Sequence, residues 1–434
     1  MHVLLILKTA NGGLWTLPHI EELRTRGHRV TVVLPPGPGR LRTTLDSLGV
    51  PVLESAFSFS FRPGPRMLAG LWRLRRQIAA AAPDALHYHL YASALAARLC
   101  SIGLRVPRIH MVAGPLYLDS LIIRTAERAL ARLDHVTVAG SEHTALRYRA
   151  LGLPAERTPP IPYGVDVSRF TPPDRRRRTE SRAALGIAAD AFVAVMVAYA
   201  YAPKRSVHRG RGIKGHDVLL EAWQGFSTRH PGARLLIVGG GFDAAGEAYR
   251  QELIARFRLA GNHTVVWLSS VSDVRRMYDA ADVSVSPSLS ENHGAAVEAS
   301  AMGIPCIVSD AGALPETVDP HCGWVVPPGD PDALLAALDK AHRAFLAGEL
   351  PARGARARER MVRRFDRRVL AAALADVIEH VVLLRRTQAA RRPGFIAGAA
   401  RVWCRGRPTI EASAGGPVAG GAGVDEDCVK SLRQ

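Results

Sequence analysis

Apolar residues along the chain fall into two rhythms. Met1–Leu7 is an almost unbroken apolar stretch, and Lys8–Gly13 is a polar loop that ends on two glycines. Leu14–Arg26 then carries apolar residues at helical spacing, Gly27-His28 closes it, and Arg29–Leu34 returns to a continuous run. A strand, a helix and a second strand of these lengths predict a βαβ unit. The same alternation continues through a helix at Met67–Ala82 and strands at Ala85–His89, Arg108–Val112 and His135–Val138. Continuous apolar strands separated by helices predict a parallel, doubly wound α/β sheet.

A second series begins after residue 182. Phe192–Tyr199, Arg234–Val238, Thr264–Leu268, Asp282–Ser286 and Ile304–Val308 read as strands. Helices are predicted at Asp217–Ser227, Gly294–Met302, Pro331–Ala347 and Arg356–Leu384. The expected division is one domain over 1–165, a linker over 166–182 and a second domain over 183–360. A helix over 361–385 follows, and 386–434, rich in arginine and then in Gly and Ala, is expected to be disordered. The run Arg175–Arg178 reads as a solvated charge block of the linker. At 434 residues the chain is long enough for two cores.

Chemistry concentrates in DVSVSPSLSENHGAAVEASAMGIPCIVSD, Asp282–Asp310. A strand closed by Pro287 leads into a polar loop with Glu291, His293 and Gly294, and the helix that follows holds Glu298 about one turn in. Unpaired N–H groups at a helix start favour an anion. A carboxylate is an acceptor suited to neighbouring sugar hydroxyls. Phosphate at one end and a diol at the other suit a nucleotide sugar, although both glutamates also suit the positive end of a helix for stability alone. Gly12 and Gly13 make a tight strand-to-helix turn.

The segment SLSENHGAAVEASAMGIPCIVSDAGALPE resembles the signature of retaining glycosyltransferases of family four, which have the two-domain GT-B architecture. Glu298-Ala299 and Gly303-Ile304-Pro305 match its second half, while six residues rather than seven separate Glu291 from Glu298. Pro162-Tyr163-Gly164-Val165-Asp166 resembles the family's domain-joining segment with Tyr163 where asparagine is usual. Lys214-Gly215 resembles its diphosphate-holding pair. The likeness spans about residues 1–380 and implies two Rossmann-like domains facing a cleft.

It further implies transfer of a hexose, with retention, from a nucleoside-diphosphate sugar to an acceptor hydroxyl, with no metal or other cofactor. Glu291, Lys214 and Arg209 would be the catalytic residues, with Arg205 and Lys204 as other choices for the arginine. Gly12, Gly13, Arg209, Lys214, Glu291, His293, Gly294 and Glu298 would hold the donor. Ser269–Ser272 falls where the family's backbone meets the nucleobase. The family's acceptor-side histidine is replaced by Ala113, and His110 lies inside a strand instead. A nucleotide-sugar epimerase and a non-catalytic partner subunit are the alternatives.

Charge and cysteines change this picture little. The formal net charge is +18, but only five of the 57 basic residues are lysine and arginine is spread over the whole chain. No aromatic-plus-basic module accompanies it, which argues against a nucleic-acid partner. An anionic membrane surface needs no such module, and the helix Met67–Ala82 offers arginines beside Leu68 and Trp72. The longest apolar run, Ala191–Ala202, is too short to span a bilayer, and the start resembles no secretory signal. A cytoplasmic protein, with contact at the inner face of the membrane, is expected. Five cysteines show neither pairing nor metal spacing. His87 and His89 share one face of their strand, but the sequence identifies no third metal ligand beside them.

Overall fold

The computed structural model describes residues 1–203, 210–290 and 293–387. Two parallel six-stranded sheets organise them. The first contains β1 (His2–Ile6), β2 (Arg29–Leu34), β3 (Val52–Glu54), β4 (Ala85–His89), β5 (Arg108–Val112) and β6 (Val136–Ala139), in the order β3-β2-β1-β4-β5-β6. The second contains β7 (Val193–Val197), β8 (Arg234–Val238), β9 (Val265–Leu268), β10 (Val283–Ser286), β11 (Cys306–Ser309) and β12 (Gly323–Val326), in the order β12-β11-β10-β7-β8-β9. Both are the expected doubly wound α/β arrangement.

Continuous apolar strands follow from burial on both faces. In β1 the two-residue period sends Val3 and Leu5 toward Ile20, Leu23 and Leu374, and Leu4 and Ile6 toward Leu74, Ile78 and Tyr88. In β7, Ala194 and Met196 join Leu219, Trp223 and Phe226, while Val193 and Val195 join Tyr278, Ala299 and Met302. Each buried Val, Leu, Ile, Phe or Met among them contributes about 1.5–3 kcal/mol by leaving water, so neither face tolerates a polar stripe.

One buried polar cluster sits in the first domain. Arg98 on the helix Tyr91–Cys100 donates to Asp134 at 2.6 Å and to Glu127 at 2.8 and 2.9 Å, and all three side chains are inaccessible to solvent. Tyr88 donates to Asp134, Tyr148 donates to Glu127, and His110 lies 3.1 Å from the guanidinium. His110 is thus part of this core.

Two features differ from the sequence expectation. The run Arg175–Arg178 is not a solvated block: it opens the helix Arg175–Ala184, capped by Asp174. Arg177 pairs with Asp279 at 2.7 Å and Arg178 pairs with Asp282, so only Arg175 and Arg176 face solvent. The carboxylates lie about 100 residues downstream and could not be seen as partners locally. Second, the helix expected over Arg356–Leu384 is two helices, Leu350–Arg364 and Arg367–Arg386. Phe365 is fully buried, and Asp366 caps the second helix. The Val165 N–H donates to the Phe365 carbonyl at 2.7 Å, and the Arg367 N–H donates to the Val165 carbonyl at 3.0 Å. Both passages of the chain between the domains are therefore hydrogen-bonded to each other. Gly164 there has φ +72°, and a Cβ would lie 2.6 Å from the Phe365 carbonyl oxygen.

The last helix returns to the first domain. Leu370, Leu374 and Ile378 enter its core, Arg26 pairs with Asp376 at 2.6 Å, and His28 lies 2.7 Å from Glu379.

Candidate functional site

In open parallel sheets, ligands gather beyond the carboxyl ends of the strands where the strand order reverses. In the second sheet that point lies between β7 and β10. The loop after β7 comes back as Ile213-Lys214-Gly215, and the Leu289 N–H, beyond β10, donates to the Ile213 carbonyl at 2.8 Å. Gly215 has φ +72°, and a Cβ there would lie 2.2 Å from the Pro287 carbonyl oxygen. Only glycine meets both demands, and it fixes Lys214 beside the end of β10.

A cavity of about 360 Å³ opens at this point, and Lys214, Gly294 and Glu298 all line it. Tyr199, Tyr201, Gly239, Ser270 and Val271 form much of the remaining wall. The serine-rich turn after β9 therefore reaches the cavity, as its position suggested. Tyr201 stacks on Phe242 at 4.8 Å and Tyr199 meets the same ring edge-on, an aromatic rim that no motif indicated.

Glu298 projects from the helix Gly294–Ala301. Removal from water raises its carboxyl to about 7, against the opposing influence of Tyr278 and of the Arg169 charge. The fully buried Tyr278 hydroxyl lies 3.4 Å from Glu298 Oε2. A Cβ built on Gly294, by contrast, meets nothing within 4 Å. Packing does not require glycine there, which leaves open space over the helix start.

Gly294 and Glu298 also line a second cavity, of about 670 Å³, between the domains. Its first-domain wall is Leu14, Trp15, Pro18, Leu90 and Ala113, and Tyr163, Asp166, Arg169 and Arg367 come from the crossings. His293 lines it too, buried against Phe365 at 5.3 Å, and burial lowers its imidazole to about 4, partly offset by the Gly140 backbone. The structure thus brings Lys214, Gly294, Glu298 and His293 to two adjoining hollows.

Other expected site residues fare differently. Glu291 and Arg209, with Lys204 and Arg205, lie outside the described residues. Gly12 and Gly13 precede the cleft wall without lining either cavity; Gly13, at φ +94°, starts the turn that carries Leu14 and Trp15. Ala113 does face the interdomain cavity. His87 and His89 have a neighbour that the sequence did not reveal, because His19 from the helix Leu17–Thr25 joins them. Trp15, Tyr163 and Arg169 were also missed as wall residues. Of these, Tyr163 carried a signal, as the departure from the usual asparagine.

Comparison with known proteins agrees with this architecture. The family models described as Glycosyltransferase Family 4 and Glycosyl transferases group 1 match residues 17–169 and 205–343. A D-inositol 3-phosphate glycosyltransferase of Catenulispora acidiphila is 30% identical over 318 residues, 68% of this chain and 70% of its own length. The corresponding protein of Geodermatophilus obscurus is 34% identical over 55% of this chain and 48% of its length. Among solved structures, Anabaena HepE in complex with UDP superposes with a TM-score of 0.72 at 20% identity, over 88% of this chain and 100% of that one. With the two family models matched in chain order and a relative aligned over two thirds of both sequences, the chain belongs to glycosyltransferase family four and has the GT-B architecture.

Proposed function

We propose that the chain moves a hexose, with retention, from a nucleoside-diphosphate sugar to an acceptor hydroxyl. One observation carries the reading: Lys214 and Glu298 share a single cavity beyond the carboxyl ends of β7 and β8. In this reading the ammonium and the N–H groups at the start of the helix Gly294–Ala301 meet the diphosphate. Glu298 accepts from the ribose diol. The hexose lies where the two hollows join, and the acceptor enters along Trp15, Pro18 and Tyr163. By resemblance, Glu291 holds sugar hydroxyls and Arg209 assists Lys214.

The acceptor oxygen then forms its bond to the anomeric carbon on the face from which the phosphate leaves, and its proton passes to a phosphate oxygen. No protein nucleophile takes part. Charge growing on the departing diphosphate is offset by cations and dipoles already in place, so this step asks for no metal at the diphosphate.

Gly294 supplies a test that spares the fold. Gly294→Val is expected to leave the melting temperature within a few degrees, since a Cβ there meets nothing within 4 Å. It should abolish the thermal shift that UDP gives the unaltered protein. An undiminished shift in the variant would exclude this pocket. Release of nucleoside diphosphate only when an acceptor is present separates transfer from epimerisation, and the anomeric configuration of the product reports retention.

We also infer contact with an anionic membrane surface through the helix Pro65–Ala81. Leu68 and Trp72 are 64% and 56% exposed, and the Arg76 guanidinium lies 4.9 Å from the Trp72 ring centre. Arginines near anionic headgroups contribute about 1 kcal/mol each. Among the described residues no helix is long and apolar enough to cross a membrane. Cosedimentation with phosphatidylglycerol vesicles is expected, with a clear loss for Leu68→Ser/Trp72→Ser. Equal recovery of both proteins would refute this contact.

A further inference from the structure

Beneath the first-domain wall of the cleft, three histidines meet. The two-residue period of β4 puts His87 and His89 on one face, and the helix Leu17–Thr25 lays His19 over them. Their relative exposures are 2% for His19, 1% for His87 and 0% for His89. One ring nitrogen from each lies within 4.8 Å of the other two. His87 Nδ1 is 3.1 Å from the Ile109 carbonyl oxygen, His89 Nδ1 is 2.9 Å from the Tyr163 hydroxyl, and the two Nε2 atoms are 2.9 Å apart.

Protons alone explain two of the three. Tyr163 can donate to His89 Nδ1, His89 Nε2–H to His87 Nε2, and His87 Nδ1–H to the Ile109 carbonyl, which satisfies every atom in the row. His19 is left over: neither of its nitrogens has a hydrogen-bond partner among the described residues. Its ring stacks on His89 at 5.9 Å and on Tyr163 at 5.6 Å. An unpartnered imidazole this deep is a standing desolvation cost.

We propose that His19, His87 and His89 bind a divalent first-row transition metal ion, zinc foremost. Imidazole suits this class of ion, and three histidines with a fourth position for solvent form a known zinc stereochemistry. The outer partners are already of the right kind. His87 keeps its Nδ1–H on the Ile109 carbonyl, and His89 turns its Nδ1–H toward the Tyr163 oxygen, so both Nε2 lone pairs aim inward. The two Nε2 atoms must part to about 3.3 Å for zinc–nitrogen bonds of about 2.0–2.1 Å. Burial of all three rings favours the neutral imidazoles that ligation needs. A bound ion would pin the helix that follows the glycine pair to β4, and would steady Tyr163, whose ring packs edge-on against Trp15 at 6.1 Å. The proposal is independent of the sugar-transfer reading.

The test is metal content of the full chain after dialysis, together with its visible spectrum when loaded with cobalt(II). About one zinc per chain is expected, and after the metal is stripped with a chelator, the absorption of a tetrahedral site on adding cobalt(II) and a higher melting temperature on adding zinc. All three should be lost in His19→Gln, which removes only the unpartnered ring, and kept in the exposed-site control His321→Gln. No retained metal and no cobalt spectrum in the unaltered protein would overturn the proposal. Equal binding by His19→Gln would overturn it as well.

Discussion

Lys214→Ala is expected to lower the turnover of sugar transfer by about 10²–10³-fold, the effect of removing one stabiliser of developing charge. In the proposed reading the ammonium acts most when the glycosidic bond is breaking, so the loss is expected in kcat. Glu298→Gln behaves differently. The proposed ribose contact is made equally before and during bond breaking, so its loss is expected to raise KM about 10- to 100-fold, as for a charged hydrogen bond of about 1.5–3 kcal/mol. pH separates the two further. The Glu298 carboxyl is raised to about 7 by burial, so it gains a proton as pH falls through that value and gives up acceptor capacity. Affinity for UDP is expected to weaken on acidification below about pH 7 and to lose this dependence in Glu298→Gln. Steady-state kinetics and calorimetric titration check both statements. Unaltered rates in both variants would remove Lys214 and Glu298 from the reaction.

Arg98→Met is expected to cost about 3–5 kcal/mol of stability, because it leaves two buried carboxylates without their cation. Glu127 and Asp134 both lose their strongest donor, and neither reaches solvent. Burial itself opposes the charged guanidinium, but the two carboxylates more than compensate and raise its affinity for the proton well above the ordinary value. Urea unfolding should show a lowered midpoint. Adding Glu127→Gln and Asp134→Asn to Arg98→Met should recover much of the loss, since neutral amides bury more cheaply. A single variant as stable as the parent would mean that the cluster contributes nothing.

The sheets were legible because strands buried on both faces must be continuously apolar, and that signal is local. The meeting of Lys214 and Glu298 at one cavity was legible because each sits beside a glycine or a helix start with its own pattern. What stayed hidden depended on contacts across the chain. The break at Phe365-Asp366 has no glycine or proline to mark it, since Val165 takes over the backbone groups released there. Arg177 and Arg178 looked solvated because Asp279 and Asp282 are distant in sequence. His19 lies on a helix with no motif around it, and only the packing of that helix on β4 gives it company.

The crossings at Val165 and Phe365–Arg367 hold each other through backbone. Two backbone hydrogen bonds tie the crossings into one short bridge, so a displacement of either segment strains the other. Val165 and Phe365 pack with Val297 and Ala301 of the helix that bears Glu298. The ligand cavity and the interdomain bridge thus share one helix, and a substitution at Val297 or Ala301 reaches both at once.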